Sequence, residues 1–307
     1  MRVLITGGSG LIGGALAREL GAAGYEVVVL TRDPAWVTGL PANVRAVGWD
    51  GVSAGGWGEL AAGPDTAIVH LAGEGIADRR WTDERKRRIV DSRVKSSQAV
   101  AAAIRQAAVK PRVLLQGSAV GYYGPCGDEI VTEEHPPGND FLARVCIDWE
   151  RSTAEVESLG VRWALLRTGI VLAKEGGALP KMALPFRLFA GGPLGKGRQW
   201  VPWIHLADEV GAIRFLLETE TARGPFNLSA PAPVQNRDLG RALGETLHRP
   251  SLLPTPGFAL HLVLGEMATM VLQGQRAVPR ALTDLGYTFR FPALGPALSD
   301  LLDGGPR

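Results

Sequence analysis

Residues 2–16, RVLITGGSGLIGGAL, join an apolar strand to a helix through a glycine turn. RVLIT (2–6) is short, branched and apolar, as a buried strand should be. LIGGALARELGAAG (11–24) sets its apolar side chains at helical spacing and ends on Gly24, a C-cap residue. Between them Gly7, Gly10 and Gly13 stand three apart. In such a turn the first glycine permits the tight bend, the second lets backbone approach a pyrophosphate, and the third lets helix pack closely on strand. The helix starting at Leu11 and Ile12 would offer free N–H groups and a positive dipole end to the phosphates. Forty of the 307 residues are glycine, so the spacing alone means little. Its place between a strand and a helix is what points to a dinucleotide.

Working outward, the same alternation continues. EVVVLT (26–31), VRAVGW (44–49), TAIVHLA (66–72), RVLLQGS (112–118) and RWALLRTG (162–169) are further near-continuous apolar runs. Helical patterns cover 92–108 and 141–160. Strands of this kind belong in a sheet covered by helices on both faces. The expected fold is therefore α/β: a doubly wound parallel sheet, Rossmann-like, with a smaller C-terminal substrate lobe. Residues 1–172 and 203–230 form the expected cofactor domain. The Gly- and Pro-rich stretch 173–202 and the tail 231–307 form the expected lobe.

The second strand tells which dinucleotide. An acidic residue at its end would bind ribose hydroxyls and repel a 2′-phosphate. This strand ends LTRD, with Thr31 and Arg32 ahead of Asp33. A guanidinium there can pair with the phosphate and stack on adenine, so NADP(H) is favoured over NAD(H). Asp33 reaching the ribose is the alternative. Leu71, Ala72 and Gly73, at the end of the fourth strand, complete the expected cofactor contacts.

Thirty-three basic and 31 acidic side chains leave a net charge of +2, so no global field draws the chain to nucleic acid or membrane. Cys126 and Cys146 are the two cysteines, too few for a disulfide framework, and no spacing suggests a metal site. With a strand pattern already at residues 2–6, the expectation is that there is no signal peptide. PGFALHLVLGEMATMVL (256–272) is interrupted by His261 and Glu266 and reads as too short and polar to span a membrane. The expectation is a reduced, cytoplasmic protein with a small-molecule substrate; a homodimer stays open.

TGGSGLIG (6–13), HLAGE (70–74), GSAVGYYG (117–124), LRTGIVL (166–172), WIHLAD (203–208) and FNLSA (226–230), in register, resemble the extended short-chain dehydrogenase/reductase superfamily. That is the group of NAD-dependent epimerases and dehydratases. AGEGIADRRWT (72–82), SAVGYYG (118–124) and GQRAVPRALTDLGYTFRFP (274–292) are similar more closely to the subgroup called epimerase family proteins, which has its own C-terminal domain. The resemblance implies a Ser, Tyr and Lys triad in which Tyr moves the hydroxyl proton and Lys lowers its pKa. Ser118 matches the serine. Leu142 and Cys146 stand where Tyr and Lys are expected, and neither can replace them.

Other residues must then do the proton work, or none does. Tyr122 and Tyr123 are candidates, with packing under the loop as the alternative. Cys146 reads as a small core residue. Glu74, Arg80 and Trp81 could clamp a substrate, whereas Arg85, Lys86, Arg87 and Arg88 read as a solvated helix face and Arg93 as facing inward. Asp140 and Arg144 read as a surface pair. Gln199, Trp200 and Trp203 suggest stacking on a flat ligand, with lobe packing as the alternative. His205 reads as structural and Asp208 as a helix cap. Two functions follow: an epimerase- or reductase-like oxidoreductase on a small polar substrate, or a non-catalytic NADP(H)-binding sensor.

Overall fold

The computed structural model describes residues 1–302. The last five residues of the expected lobe, 303–307, lie outside the described residues.

In chain order the main elements are β1 (Arg2–Thr6), α1 (Leu11–Ala22), β2 (Glu26–Thr31), β3 (Val44–Gly48), β4 (Thr66–His70), α2 (Asp83–Gln106) and β5 (Val113–Ala119). Then follow α3 (Phe141–Arg151), β6 (Arg162–Thr168), α4 (Leu179–Arg187), α5 (Leu206–Glu218), β7 (Gly224–Leu228), α6 (Asn236–Leu247), α7 (Gly257–Leu264) and α8 (Leu294–Leu302). The seven strands pair in parallel in the order β3-β2-β1-β4-β5-β6-β7. This is the doubly wound parallel sheet that the apolar runs imply. Alternate side chains feed two cores. Val3, Ile5, Val27 and Val29 pack beneath α1 and α5 with Leu16, Leu20 and Ile213, whereas Leu4, Val28, Ile68 and Leu114 pack beneath α2 with Val100 and Ile104.

Strand order reverses between β1 and β4, which opens the crevice where doubly wound sheets bind ligands. A buried polar knot pins it. Leu71 and Ala72 N–H groups donate to the Thr6 hydroxyl at 3.1 and 3.2 Å, and Thr6 Oγ1 lies 2.6 Å from His70 Nδ1. With its lone pairs so used, Thr6 donates its proton to Nδ1; His70 Nε2–H then faces Ser97 Oγ at 3.0 Å. Burial pushes His70 down to about 3, so the ring stays neutral.

The lobe forms from chain leaving the C-terminal end of the sheet. Ile170–Leu172 pairs in parallel with Trp203–His205, and Trp200–Val201 pairs antiparallel with Val234–Gln235. Leu172, Leu179, Phe186, Leu239, Phe291 and Leu298 give it its own core. Asp208 does not cap α5, contrary to the expectation from sequence: its carboxylate accepts the backbone N–H groups of Arg290 and Phe291 at 2.7 and 2.8 Å, tying the C-terminal segment to the sheet domain. The cap is His205, whose Nδ1 accepts from Ala207 N at 3.0 Å. The apolar segment at 256–272 becomes α7 and the turns after it, and α7 buries none of its side chains. No described helix is long and apolar enough to cross a membrane.

Candidate functional site

The glycine turn has the shape a pyrophosphate cradle requires. Gly7 adopts φ +69°, and a Cβ there would lie 2.8 Å from the Leu71 carbonyl oxygen. A Cβ on Gly13 would run into the Gly7 carbonyl oxygen and stand 2.7 Å from Gly8 Cα. Gly10 is the N-cap of α1, and no side chain caps that end. The helix N-terminus is therefore left with the free N–H groups and positive dipole end that bind phosphate. Leu11 and Ile12 in its first turn, like Leu71 and Ala72 across the crevice, are half-buried, and Gly73 is exposed.

At the end of β2, Thr31 is buried and its hydroxyl accepts from Asp33 N at 3.4 Å. The Asp33 carboxylate caps the short turn Pro34–Trp36 through Ala35 N at 3.1 Å. Arg32 is exposed and, among the described residues, makes no hydrogen bond or ion pair. The acidic group is committed to a turn while the guanidinium is free. These residues fit a pyridine dinucleotide, and one with a phosphate beside Arg32.

Next to this crevice a cavity of about 320 Å³ lies between the sheet domain and the lobe. Ala119, Leu142 and Cys146 form its floor, with Trp81, Phe141, Val145 and Trp149 along one wall. Ile170, Met182, Gln199, Trp200, Met270 and Val271 close it from the lobe side. Leu142 and Cys146 both face this cavity. Burial, with the nearby Glu150 carboxylate adding to it, pushes the Cys146 thiol up to about 12, which rules it out as a base at neutral pH.

The three residues expected to do chemistry are elsewhere, which corrects the reading from sequence. Ser118 continues the face of β5 that carries Leu114 and Gln116, and so points at α3 rather than into the cavity. Its hydroxyl is buried and donates to Glu150 Oε1 at 2.7 Å. Arg167, paired with Ser118 across the β5–β6 ladder, grips both oxygens of Glu150 at 2.9 and 3.0 Å. Arg167 Nη1 also donates to the Tyr123 hydroxyl at 3.1 Å, and Tyr123 donates to Asn227 Oδ1 at 2.6 Å. Burial pushes Tyr123 up to about 12, and Tyr122 lies flat under the Arg167 guanidinium at 3.5 Å. Ser118, Tyr122 and Tyr123 are thus parts of a buried brace that fixes α3 on the sheet. Arg167, inside the apolar run RWALLRTG, was the available signal for it.

The substrate candidates divide. Trp81, Gln199 and Trp200 line the cavity, whereas Trp203 is fully buried in the lobe core with Nε1 bonded to Ala232 O at 3.2 Å. Glu74 is held by Arg85 and Arg88 and is not free for a ligand. Arg85 is buried in doing so, which overturns its reading as a solvated residue; Lys86, half-buried, pairs with Glu266. Arg80 is exposed and donates to Leu262 O at 3.0 Å, holding the segment over the cavity. Asp140 caps α3 through Ala143 N at 2.8 Å, while Arg144 donates to Asn139 O at 2.6 Å rather than to Asp140. Arg93 does face inward. It lies 4.9 Å over the Trp149 ring with Nη1 donating to Glu74 O at 3.0 Å and Ile89 O at 3.2 Å. Among the described residues no group of three His, Cys, Asp or Glu is placed to hold a metal.

Glu209, which the sequence did not single out, sits fully buried beneath Thr168, whose hydroxyl donates to it at 2.8 Å. Burial pushes its carboxyl up to about 8 from an ordinary 4.5. The native state therefore keeps this proton longer than the unfolded chain. Its contribution is whole below the ordinary value and is lost as pH rises, at up to about 1.4 kcal/mol per unit until about 8. Glu209→Gln is expected to flatten that decline and to be more stable than wild type at alkaline pH. Urea denaturation at neutral and mildly alkaline pH measures it; identical pH profiles for the two proteins would refute the assignment.

A family model described as "NAD dependent epimerase/dehydratase family" matches residues 3–229, and a second, described as a domain of unknown function (DUF1731), matches 255–301. The chain is 40% identical over 298 residues to epimerase family protein ML0860 of Mycobacterium leprae, covering 97% of this chain and 94% of that one. It is 39% identical to epimerase family protein SH2119 of Staphylococcus haemolyticus, covering 98% of each. Among solved structures, human epimerase family protein SDR39U1 with NADPH superimposes with a TM-score of 0.88 at 34% identity, covering 99% of both chains. A dTDP-glucose 4,6-dehydratase from Streptomyces venezuelae, with NAD and TYD bound, shares the fold at 21% identity, a TM-score of 0.80, and 99% and 96% coverage of the two chains.

Proposed function

The chain belongs to the NAD-dependent epimerase/dehydratase family, and on that premise we propose that it is an NADP(H)-binding oxidoreductase acting on a small molecule in the cavity beside the cofactor crevice. One observation carries the choice of cofactor: at the end of β2 Asp33 is committed to a backbone cap and Arg32 is free. The similarity to a human relative solved with NADPH supports it. The cradle at Gly7, Gly10 and Gly13 would hold the pyrophosphate, with α1 aimed at it.

The bound nicotinamide would supply a hydride donor or acceptor. This chain's own side chains then do three things. Ala119, Leu142 and Cys146 keep water from the floor of the cavity. Trp81, Phe141 and Trp200 position the reactant. Arg93, the cation bordering the cavity, meets negative charge developing on a substrate oxygen, as preorganised N–H donors do at oxyanion sites. The brace of Ser118, Glu150, Arg167 and Tyr123 holds α3, and so Leu142 and Cys146, in place.

Arg32→Glu is expected to weaken NADPH roughly 10- to 100-fold, the worth of one charge-assisted contact, and to leave NADH almost unchanged. Equal losses for the two nucleotides would count against the phosphate contact. Consumption of NADPH with a panel of carbonyl compounds tests the catalytic half. Tight NADPH binding with no turnover of any compound would favour the sensor reading instead.

A further inference from the structure

We infer that the part of the substrate entering the cavity is an apolar, ring-bearing carbonyl group rather than the polyhydroxylated ring of a nucleotide sugar. This rests on the proposed function for the place of the cofactor, and otherwise on the cavity itself.

The first ground is what the walls lack. A sugar ring carries several hydroxyls, each of which must recover the hydrogen bonds it leaves in water. Three of the four amide side chains that line the cavity hold backbone by one end, while the Gln273 side chain makes no hydrogen bond among the described residues. Gln199 Nε2 donates to Leu194 O at 3.0 Å and to Val271 O at 2.7 Å, and Asn236 Oδ1 accepts from Leu194 N at 2.8 Å. Asp140 caps α3 and Glu266 pairs with Lys86.

The second ground is what the walls offer. Trp81 is tethered by Nε1 to Ile76 O at 2.9 Å and meets Phe141 edge to face at 5.1 Å. Trp200 is tethered by Nε1 to Asp128 Oδ1 at 2.7 Å. With their N–H groups satisfied and their rings held, these side chains present preorganised apolar surface to a flat ligand.

The third ground is charge. Arg93 uses Nη1 on two backbone carbonyls, and its Nε and Nη2 make no hydrogen bond among the described residues. One guanidinium edge is thus available to one substrate oxygen. Lys196 and Arg198 border a separate, more open hollow on the far side of Gln199 and Trp200, and both are exposed. Any anionic group on the substrate would lie out there, in water.

The test uses the whole protein. NADP⁺ is titrated first by calorimetry, and 2-naphthaldehyde and UDP-glucose are then titrated separately into the NADP⁺-saturated protein and into the free protein. The oxidised cofactor has no hydride to give the aldehyde, and unchanged near-ultraviolet absorbance shows that it has taken none from either compound, so the heats then report binding alone. Naphthaldehyde is expected to bind at least tenfold tighter than UDP-glucose, and Trp81→Ala to weaken it about tenfold while Trp81→Phe retains it. Tighter binding of UDP-glucose, no binding of naphthaldehyde, or indifference to Trp81→Ala in a protein that still binds NADP⁺ would each overturn the inference. Failure of NADP⁺ itself to bind is a separate result that strikes the proposed function.

Discussion

Gly13→Val is expected to abolish measurable NADPH binding and to lower stability by about 1–3 kcal/mol, the range for overfilling a close-packed site. The cause is local. A single Cβ at this position already collides with the Gly7 carbonyl oxygen and stands 2.7 Å from Gly8 Cα, and valine adds two methyl groups. Either α1 must move off β1 or the turn must open. Both displace the helix N-terminus from the phosphates, and losing two charge-assisted N–H contacts would weaken binding roughly a hundredfold or more. Gly10→Ala separates the two effects. A Cβ there meets only the Gly7 carbonyl oxygen, at 3.2 Å, so thermal stability should change little while NADPH affinity still falls. Calorimetry and thermal melts of both variants check this. A Gly13→Val protein that binds NADPH like wild type would refute the cradle.

Arg167→Met is expected to cost about 3–5 kcal/mol, because it strands the Glu150 carboxylate in a buried site. That is a large share of the 5–15 kcal/mol that typically separates folded from unfolded. Arg167 and Glu150 are both almost fully buried and bonded through two nitrogens and two oxygens. Adding Glu150→Leu to Arg167→Met should recover much of the loss, since two apolar groups leave no orphaned charge. Chemical denaturation of the single and double variants measures it; strict additivity would mean that the two residues do not act as a pair. Ser118→Ala probes the same brace. If Ser118 positioned a substrate, the variant would lose turnover at unchanged stability. The buried bond to Glu150 instead predicts a loss of about 1–3 kcal/mol with NADPH binding intact.

The sheet was legible because its strands are buried on both sides and so read as unbroken apolar runs. The glycine turn was legible because close approach of backbone leaves few alternatives to glycine at positions such as Gly7 and Gly13. What failed was direction. Ser118 and Ala119 are neighbours, and one step along a strand turns a side chain from one face to the other. Only the ladder, which pairs Ser118 with Arg167, shows that the serine looks at α3. Tyr122 and Tyr123 were ambiguous for a related reason: a phenol can serve a cavity or a buried network, and here the partners of Tyr123 come from β6 and β7, far away in sequence. Arg85 and Trp203 were misjudged because local charge density and an apparent loop do not reveal tertiary burial. Arg85 finds Glu74 across the chain segment that precedes α2, and Trp203 starts a strand in the lobe core.

The most direct measurement is a pair of titrations, NADPH and NADH into the purified protein under one set of salt and pH conditions. The expected result is saturable one-to-one binding of NADPH, roughly tenfold or more tighter than NADH, with the difference collapsing in Arg32→Glu. No heat from either nucleotide, or a preference for NADH that survives the loss of Arg32, would contradict the seat assigned here to the cofactor.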